Sequence, residues 1–310
     1  MHIDKILVTS RIYKDFERLM AQENIQKQFR YLDESMIRDE DLQWADAYVG
    51  FQPSPNFAFH QLKWVHSLGA GVDRFLEDGN WKDDVLLTRT ICSFGQRISE
   101  YCLSYILNEL QHHQIFQQAQ QARQWKPVEP ILLSTQNILV YGTGEIGQHI
   151  ASVLKVFGAT VNGVSRSGSP RPSFDNVAKI LTEQSLVKEA DWIISTLPLT
   201  KETYRLFDEK WMSMVEDVYF INVGRGATVN MSALVEALQK RRVLKAYLDV
   251  FEEEPVLPEV DLWENEHVVM TPHISAVTTS KEAVSCFIHT LQRIERRESL
   301  DNEVQIQRGY

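Results

Sequence analysis

The sequence lacks any apolar run of the ~18 residues that a membrane-spanning helix needs, so no membrane partner is expected. Cysteine is scarce. Cys92, Cys102 and Cys286 are odd in number and far apart, with no Cys-x-x-Cys pair. That pattern sets aside a disulfide framework or a thiolate metal site and reads as small buried hydrophobes in a reducing compartment. Positive charge is short as well: 32 Lys and Arg stand against 42 Asp and Glu, a formal net charge of -10, which argues against a nucleic-acid partner. The start of the chain, Met1-His2-Ile3-Asp4-Lys5-Ile6-Leu7-Val8, lacks the charged-then-apolar layout of a signal peptide. A cytoplasmic location is therefore expected. Repeats and low-complexity tracts are missing too. The one His-His pair, His112-His113, lies in a Gln-rich helical stretch and reads as solvated surface, so no metal is expected.

What is present is an ordinary globular composition, 44% hydrophobic and 24% charged, over 310 residues, a length suited to two cores. Short apolar runs at 5–9, 46–50, 63–66 and 85–90 alternate with amphipathic stretches such as 14–23, the pattern of an α/β domain. A long helical stripe follows. Cys102, Leu103, Ile106, Leu107 and Leu110 keep helical spacing, and Ile115, Phe116, Ala119 and Ala122 continue it up to Pro127 and Pro130. Ser99 is the expected cap, with Glu100 favourably placed against the dipole. A helix this long is expected to bridge two domains or to pack against a partner subunit. Six further strands are expected at 137–141, 160–164, 192–196, 218–223, 244–248 and 267–271. The helices between them are expected at 145–157, 182–189, 208–214 and 231–240, the last capped by Asn230. Such a series predicts a doubly wound, mostly parallel sheet. The C-terminal helix from about residue 281 is expected to pack back on the first domain. The expected architecture is thus two Rossmann-like or flavodoxin-like doubly wound domains with a cleft between them. The discontinuous one comprises 1–98 with 281–310, and the dinucleotide-binding one 99–280.

Gly142-Thr143-Gly144-Glu145-Ile146-Gly147 follows the strand Ile138-Leu139-Val140-Tyr141 directly and opens a helix. In that context the glycines permit a tight turn and close backbone approach, and the helix N-terminus offers free N–H groups to a pyrophosphate. Gly142, Thr143, Gly144, Glu145 and Ile146 are the expected contacts. An NAD-preferring site usually carries an acid at the end of the next strand, to hold the ribose 2′-hydroxyl. Here the residues are Val164-Ser165-Arg166-Ser167-Gly168, with Arg171 nearby and no acid. A guanidinium suits a 2′-phosphate, so NADP(H) is expected as the preferred cofactor and NAD(H) as a possible one, with Ser165 and Arg166 as first contacts.

Three strand ends carry polar residues: Asn222-Val223-Gly224-Arg225-Gly226, Asp249-Val250-Phe251-Glu252-Glu253-Glu254-Pro255, and Thr271-Pro272-His273-Ile274-Ser275. In an open parallel sheet ligands lie beyond the carboxyl ends of the strands, so an Arg, an acid and a His can meet there. Taken singly, each is more often a surface residue than a catalyst. Together with Gly69-Ala70-Gly71-Val72-Asp73 and Thr196-Leu197-Pro198-Leu199-Thr200, in this order and spacing, they resemble the D-isomer-specific 2-hydroxyacid dehydrogenases over nearly the whole chain. The Ser165-Arg166-Ser167 stretch resembles the NADPH-dependent glyoxylate/hydroxypyruvate reductases within that family.

The resemblance implies an oxidoreductase that moves a hydride between nicotinamide and a small 2-oxo or 2-hydroxy acid. It implies Arg225 on the substrate's carboxylate and carbonyl oxygen, and His273 as proton donor and acceptor. Glu254, the acid immediately before the Pro, is implied as the support of the imidazolium. The backbone amides of Ala70 and Gly71 are implied for the substrate carboxylate, Asp249 for the nicotinamide carboxamide, and Pro198 and Val223 along the cofactor's path. It also implies a homodimer, with the helix from about Ile98 at the interface; a monomeric mass at micromolar concentration would contradict that. Residues 93–101 depart from the family's pattern, since Gln96 and Arg97 are bulkier than the small residues and Ala-Glu pair common there. A dinucleotide-sensing corepressor of the same fold is the alternative from another class. A formate-type dehydrogenase is disfavoured, because those enzymes carry Gln where Glu254 stands.

Overall fold

The computed structural model describes residues 1–77 and 79–309. It divides into two compact units, Met1–Cys92 with Thr278–Tyr310, and Ser93–Val277.

The first unit is built on five parallel strands, β1 (Lys5–Thr9), β2 (Gln28–Leu32), β3 (Ala47–Gly50), β4 (Trp64–Ser67) and β5 (Leu86–Arg89), in the order β2-β1-β3-β4-β5. Strands β3 and β4 are buried at every residue and β1 at all but its first, as expected of a parallel sheet covered on both faces. The edge strand β2 was not anticipated. Its polar and aromatic residues alternate and are at best half-buried, so it has no apolar run to announce it.

One face of this sheet is covered by helix α1 (Tyr13–Met20), which buries Phe16 and Met20, one helical turn apart. The C-terminal helix Ser280–Arg296 covers the same face. Its Ala283, Val284, Phe287, Leu291 and Ile294 share a core with Ile3, Val8, Phe16 and Trp64, and the Phe287 ring stacks on Trp64 at 5.4 Å. That helix opens on a capping box. The Thr279 side chain accepts from the Glu282 amide at 3.3 Å, and the Glu282 side chain accepts from the Thr279 amide at 3.1 Å. Helices α2 (Asp39–Trp44) and α3 (Asp73–Leu76) complete the unit.

His66, on β4, is fully buried, with Nδ1 2.8 Å from the Thr88 hydroxyl and Nε2 3.4 Å from the Thr90 hydroxyl. Burial pushes its pKa down to about 3. The unfolded chain therefore takes up a proton below pH about 6.5 that the folded chain refuses until about 3, and stability is lost as pH falls through that window. The loss is about 1.4 kcal/mol per pH unit at most, so thermal melts should weaken between about pH 7 and about pH 5. His66→Gln should flatten that dependence; parallel pH slopes in the two proteins would absolve His66.

The second unit opens with α4 (Phe94–Leu110) and α5 (His113–Gln121). Seven parallel strands follow: β6 (Asn137–Tyr141), β7 (Thr160–Ser165), β8 (Val177–Lys179), β9 (Trp192–Ser195), β10 (Val218–Asn222), β11 (Val243–Leu248) and β12 (Val268–Met270). Their order is β12-β11-β10-β9-β6-β7-β8, with the order reversing between β6 and β9. Six strands were expected; the additional one, β8, is a three-residue edge strand. The helices are α6 (Glu145–Val156), α7 (Gln184–Glu189), α8 (Glu209–Met212) and α9 (Met231–Gln239), and Asn230 caps α9 by accepting from the Ala233 amide at 3.2 Å.

Two expectations about the long helix are corrected. It starts at Phe94, so Ser99 is no cap: it lies inside the helix and its hydroxyl donates to the Gly95 carbonyl at 2.6 Å. It also breaks after Leu110, at His112, whose φ of 55° lies in the left-handed region and whose ring Nε2 sits 3.0 Å from the Glu129 carbonyl. Gly95 lets α4 approach α6. A Cβ there would stand 2.9 Å from His149 Cβ, and the Ser99 hydroxyl lies 2.9 Å from His149 Nδ1.

Candidate active site

The carboxyl ends of β6, β9, β10, β11 and β12 form a row, and close backbone contacts run along it. At the first end Gly142 has a φ of +102°, and any Cβ would collide with the Thr196 hydroxyl. Gly147 packs against the Gly142 carbonyl, so a side chain there would overlap backbone. The fold itself requires these two glycines. Gly144 is different. It is exposed, a Cβ would meet nothing within 4 Å, and no side chain caps the start of α6 at this residue. The protein gives no internal reason for glycine at 144, whereas a ligand brought onto the helix N-terminus does. The residues present therefore fit a dinucleotide pyrophosphate. Thr143 and Val223 are buried, and the Thr143 methyl lies where a Cβ on Gly163 would go.

Thr196, at the end of β9, donates to the Tyr141 carbonyl at 3.0 Å and closes under the glycine turn. The next link is Gly224, where a Cβ would stand 2.7 Å from the Leu197 nitrogen and 2.9 Å from the Thr196 carbonyl carbon. Asn222 shapes the loop that carries Arg225. Its amide group accepts from the Gly224 N–H at 3.1 Å and donates to the Arg225 carbonyl at 3.1 Å, while Thr228 donates to the same carbonyl at 2.6 Å. The half-buried Arg225 guanidinium donates to the Gly224 carbonyl at 2.8 Å.

Gly226 packs on the Phe251 backbone so closely that any side chain would overlap it. The Phe251 amide donates to Glu254 Oε1 at 2.9 Å, and Glu254 Oε2 lies 2.8 Å from His273 Nδ1. Glu254 is 25% exposed and His273 48% exposed, and among the described residues His273 Nε2 has no partner. Of the three successive acids, Glu254 is the one that reaches His273. Glu252 instead lies 3.6 Å from Arg205, and Glu253 is exposed. Arg225, Glu254 and His273 thus share one continuous set of loops with the turn at Gly142.

Asp249 has a place the sequence did not reveal. It is fully buried, and its carboxylate accepts from the Thr271 hydroxyl at 2.6 Å, the Ile274 amide at 2.8 Å and the Ser275 amide at 2.9 Å. Its side chain holds the loop that carries His273. Pro198 is half-buried, its carbonyl accepting from the Thr203 hydroxyl at 2.6 Å.

At the end of β7, Ser165 is half-buried and accepts from the Gly168 amide at 3.1 Å, which fixes the turn that presents Arg166. Arg166 and Arg171 are exposed, and among the described residues neither makes a hydrogen bond or a salt bridge; Arg166 meets the charge of Glu202. In the first unit, Ala70 and Gly71 are half-buried in the turn after β4. The Ser67 hydroxyl shapes that turn by donating to the Gly71 carbonyl at 3.0 Å, and among the described residues the Ala70 and Gly71 amides have no protein acceptor.

Residues 103–275 match the model of the D-isomer specific 2-hydroxyacid dehydrogenase, NAD binding domain family. Glyoxylate/hydroxypyruvate reductase A of Escherichia fergusonii is 30% identical over 271 residues, which cover 85% of this chain and 87% of the relative. A solved D-isomer specific 2-hydroxyacid dehydrogenase from Xanthobacter autotrophicus Py2, in complex with NADPH and MES, superposes with a TM-score of 0.88. It is 26% identical and covers 100% of both chains. The NADPH-dependent glyoxylate/hydroxypyruvate reductase of Sinorhizobium meliloti, in complex with NADP and sulfate, also gives 0.88, at 25% identity over 99% of this chain and 100% of that one.

Proposed function

This chain belongs to the D-isomer specific 2-hydroxyacid dehydrogenase family, and from that premise we propose that it reduces small 2-oxo acids, with glyoxylate and hydroxypyruvate the first candidates, using NADPH. It is an NAD(P)-dependent oxidoreductase. The observation that carries the reading is the Glu254–His273 pair at 2.8 Å, on the same row of strand ends as the glycine turn at Gly142–Gly147.

A bound reduced nicotinamide supplies the hydride. His273 delivers a proton from Nε2 to the substrate's carbonyl oxygen during reduction and takes it back in oxidation. Glu254 on Nδ1 fixes the ring and places a carboxylate charge behind the nitrogen that exchanges the proton. Arg225 holds the substrate's carboxylate and carbonyl oxygen with its planar fork. The backbone amides of Ala70 and Gly71 are the proposed donors to the carboxylate, as consecutive amides in a turn can be. The amides at Gly144, Glu145 and Ile146 receive the pyrophosphate. The exposed Trp125 and Leu132, in the segment after α5, are the surface proposed for a second copy of the chain in a homodimer.

Arg166 decides the choice of dinucleotide in this reading. Wild-type enzyme should favour NADPH over NADH in kcat/KM. Arg166→Ala should cut that ratio by about tenfold or more, as befits the loss of a charge-assisted hydrogen bond to a phosphate. The test is steady-state kinetics of both proteins with both cofactors across a panel of 2-oxo acids. Equal use of the two cofactors by wild type, with the ratio unmoved in the variant, would defeat the assignment. Saturable NADPH binding without turnover of any acid in the panel would point to the sensor reading instead.

A further inference from the structure

In the proposed reaction His273 must stay paired with Glu254. The residue needs holding. Its φ of 54° lies in the left-handed region, which an L-residue adopts only under strain. Its ring is half exposed, and it rides on a loop beyond the short strand β12.

The hold comes from beneath. The Asp249 carbonyl accepts the His273 amide at 2.9 Å, while its carboxylate takes the next two amides along the chain, those of Ile274 and Ser275. The third donor to that carboxylate is the Thr271 hydroxyl. Its proton is therefore committed to Asp249, and its oxygen is left to accept. The atom that meets it is the hydroxyl of Tyr101 on α4, at 2.7 Å. Direction follows from this: Tyr101 donates to Thr271, and Thr271 donates to Asp249.

The groups on α4 that face Asp249 are Tyr101, Cys102 and Tyr105, and burial raises the pKa of all three, so each faces the carboxylate as a neutral group. Tyr101 is fixed in turn by Tyr105, with ring centroids 4.9 Å apart, and Tyr105 by the buried Tyr247 at 4.6 Å. Hydrogen bonds in such a chain polarise one another.

We propose that Tyr101 and Thr271 are positioning residues for the reaction, forming a buried relay from α4 to Asp249 that holds the His273 loop in register with Glu254. The inference rests on His273 as the proton donor. Neither residue touches substrate or cofactor in this account. Both act through the fraction of time that the Nδ1–Glu254 pair is formed.

The test is Thr271→Val, which keeps the shape and removes the hydroxyl, beside Thr271→Ser and Tyr101→Phe. Thr271→Val should lower kcat for 2-oxo acid reduction by about tenfold, while KM for NADPH stays within about twofold. The alkaline limb of its kcat/KM profile should move to lower pH, because an imidazole less often paired with Glu254 loses its proton sooner. Thr271→Ser should recover both readouts, and Tyr101→Phe should shift both the same way by a smaller factor.

Wild-type kcat and an unmoved limb in Thr271→Val would overturn the proposal. So would a fall in activity that merely tracks a loss of folded protein with the limb in place. Glu254→Gln, measured in parallel, separates the two levels. If it shifts the limb and Thr271→Val does not, the relay alone is wrong. If Glu254→Gln leaves the limb unmoved, the proton-donor reading fails and takes the relay with it.

Discussion

Replacing His273 with Ala lowers kcat for 2-oxo acid reduction by ~10²–10⁴-fold at neutral pH, the span that positioned general acids supply. The expectation comes from how the ring is built into the protein. Nδ1 is committed to Glu254 at 2.8 Å, and the Glu254 carboxylate is held on its other oxygen by the Phe251 amide at 2.9 Å. Nε2 is then the one ring nitrogen available to a substrate. The variant deletes a half-exposed side chain at a left-handed residue, where Ala is no better suited than His, so the melting temperature should stay close to wild type. NADPH affinity should also stay close, because the glycine turn is untouched. Single-turnover and steady-state rates with hydroxypyruvate would measure the effect, and near-wild-type turnover in His273→Ala would remove the residue from the proton's path.

The second large effect falls on cofactor binding. Gly144→Val should weaken NADPH binding by about tenfold to a hundredfold, as befits the loss of a charge-assisted hydrogen bond between the helix N-terminus and a phosphate. The fold should be spared, because a Cβ at 144 meets nothing within 4 Å and the backbone there, φ -74° and ψ -166°, is extended and suits any residue. Gly142 and Gly147 cannot serve the same purpose. Their side chains would strike the Thr196 hydroxyl and the Gly142 carbonyl, so loss of binding there would be confounded with loss of structure. Titration of the variant with NADPH, beside a thermal melt, distinguishes the cases. Unchanged affinity in a folded protein would mean that the pyrophosphate lies elsewhere.

Much of the second unit's sheet was legible because most of its strands are short, largely apolar and closed by glycine or polar residues. β6 and β10 carry their functional loops straight off such runs. The edge strands were not legible in this way. β2 alternates Gln, Phe, Arg, Tyr and Leu at the rim of its sheet, and β8 is three residues long, so neither has the continuous apolar signal of a strand covered on both faces. The start of α4 was misplaced because no side chain caps it at Ser93. The nearest strong cue was Ser99, while the actual constraint was the close approach of Gly95 to His149, a contact between distant parts of the chain.

The candidate site divides along the same line. Arg225, Glu254 and His273 stood out because polar residues at successive strand ends of a parallel sheet must emerge on one side. The burial of Asp249 did not, since an acid at a strand end looks the same whether it faces solvent or the loop folds over it. Thr271 and Tyr101 lie 170 residues apart, and no local pattern connects them. Hydrogen bonds that complete a buried acid are decided by tertiary packing, and they become visible when each donor is traced to its acceptor.

Direct transfer of hydride to the 2-carbon of a small oxo acid is the central claim, and isotope labelling tests it most directly. Hydroxypyruvate is turned over with NADPH deuterated at the transferring position of the nicotinamide, and the product is analysed for both label and configuration. The account predicts the D-2-hydroxy acid with deuterium retained on carbon 2. Label lost to solvent, product of the L configuration, or no turnover while NADPH binds normally would contradict it.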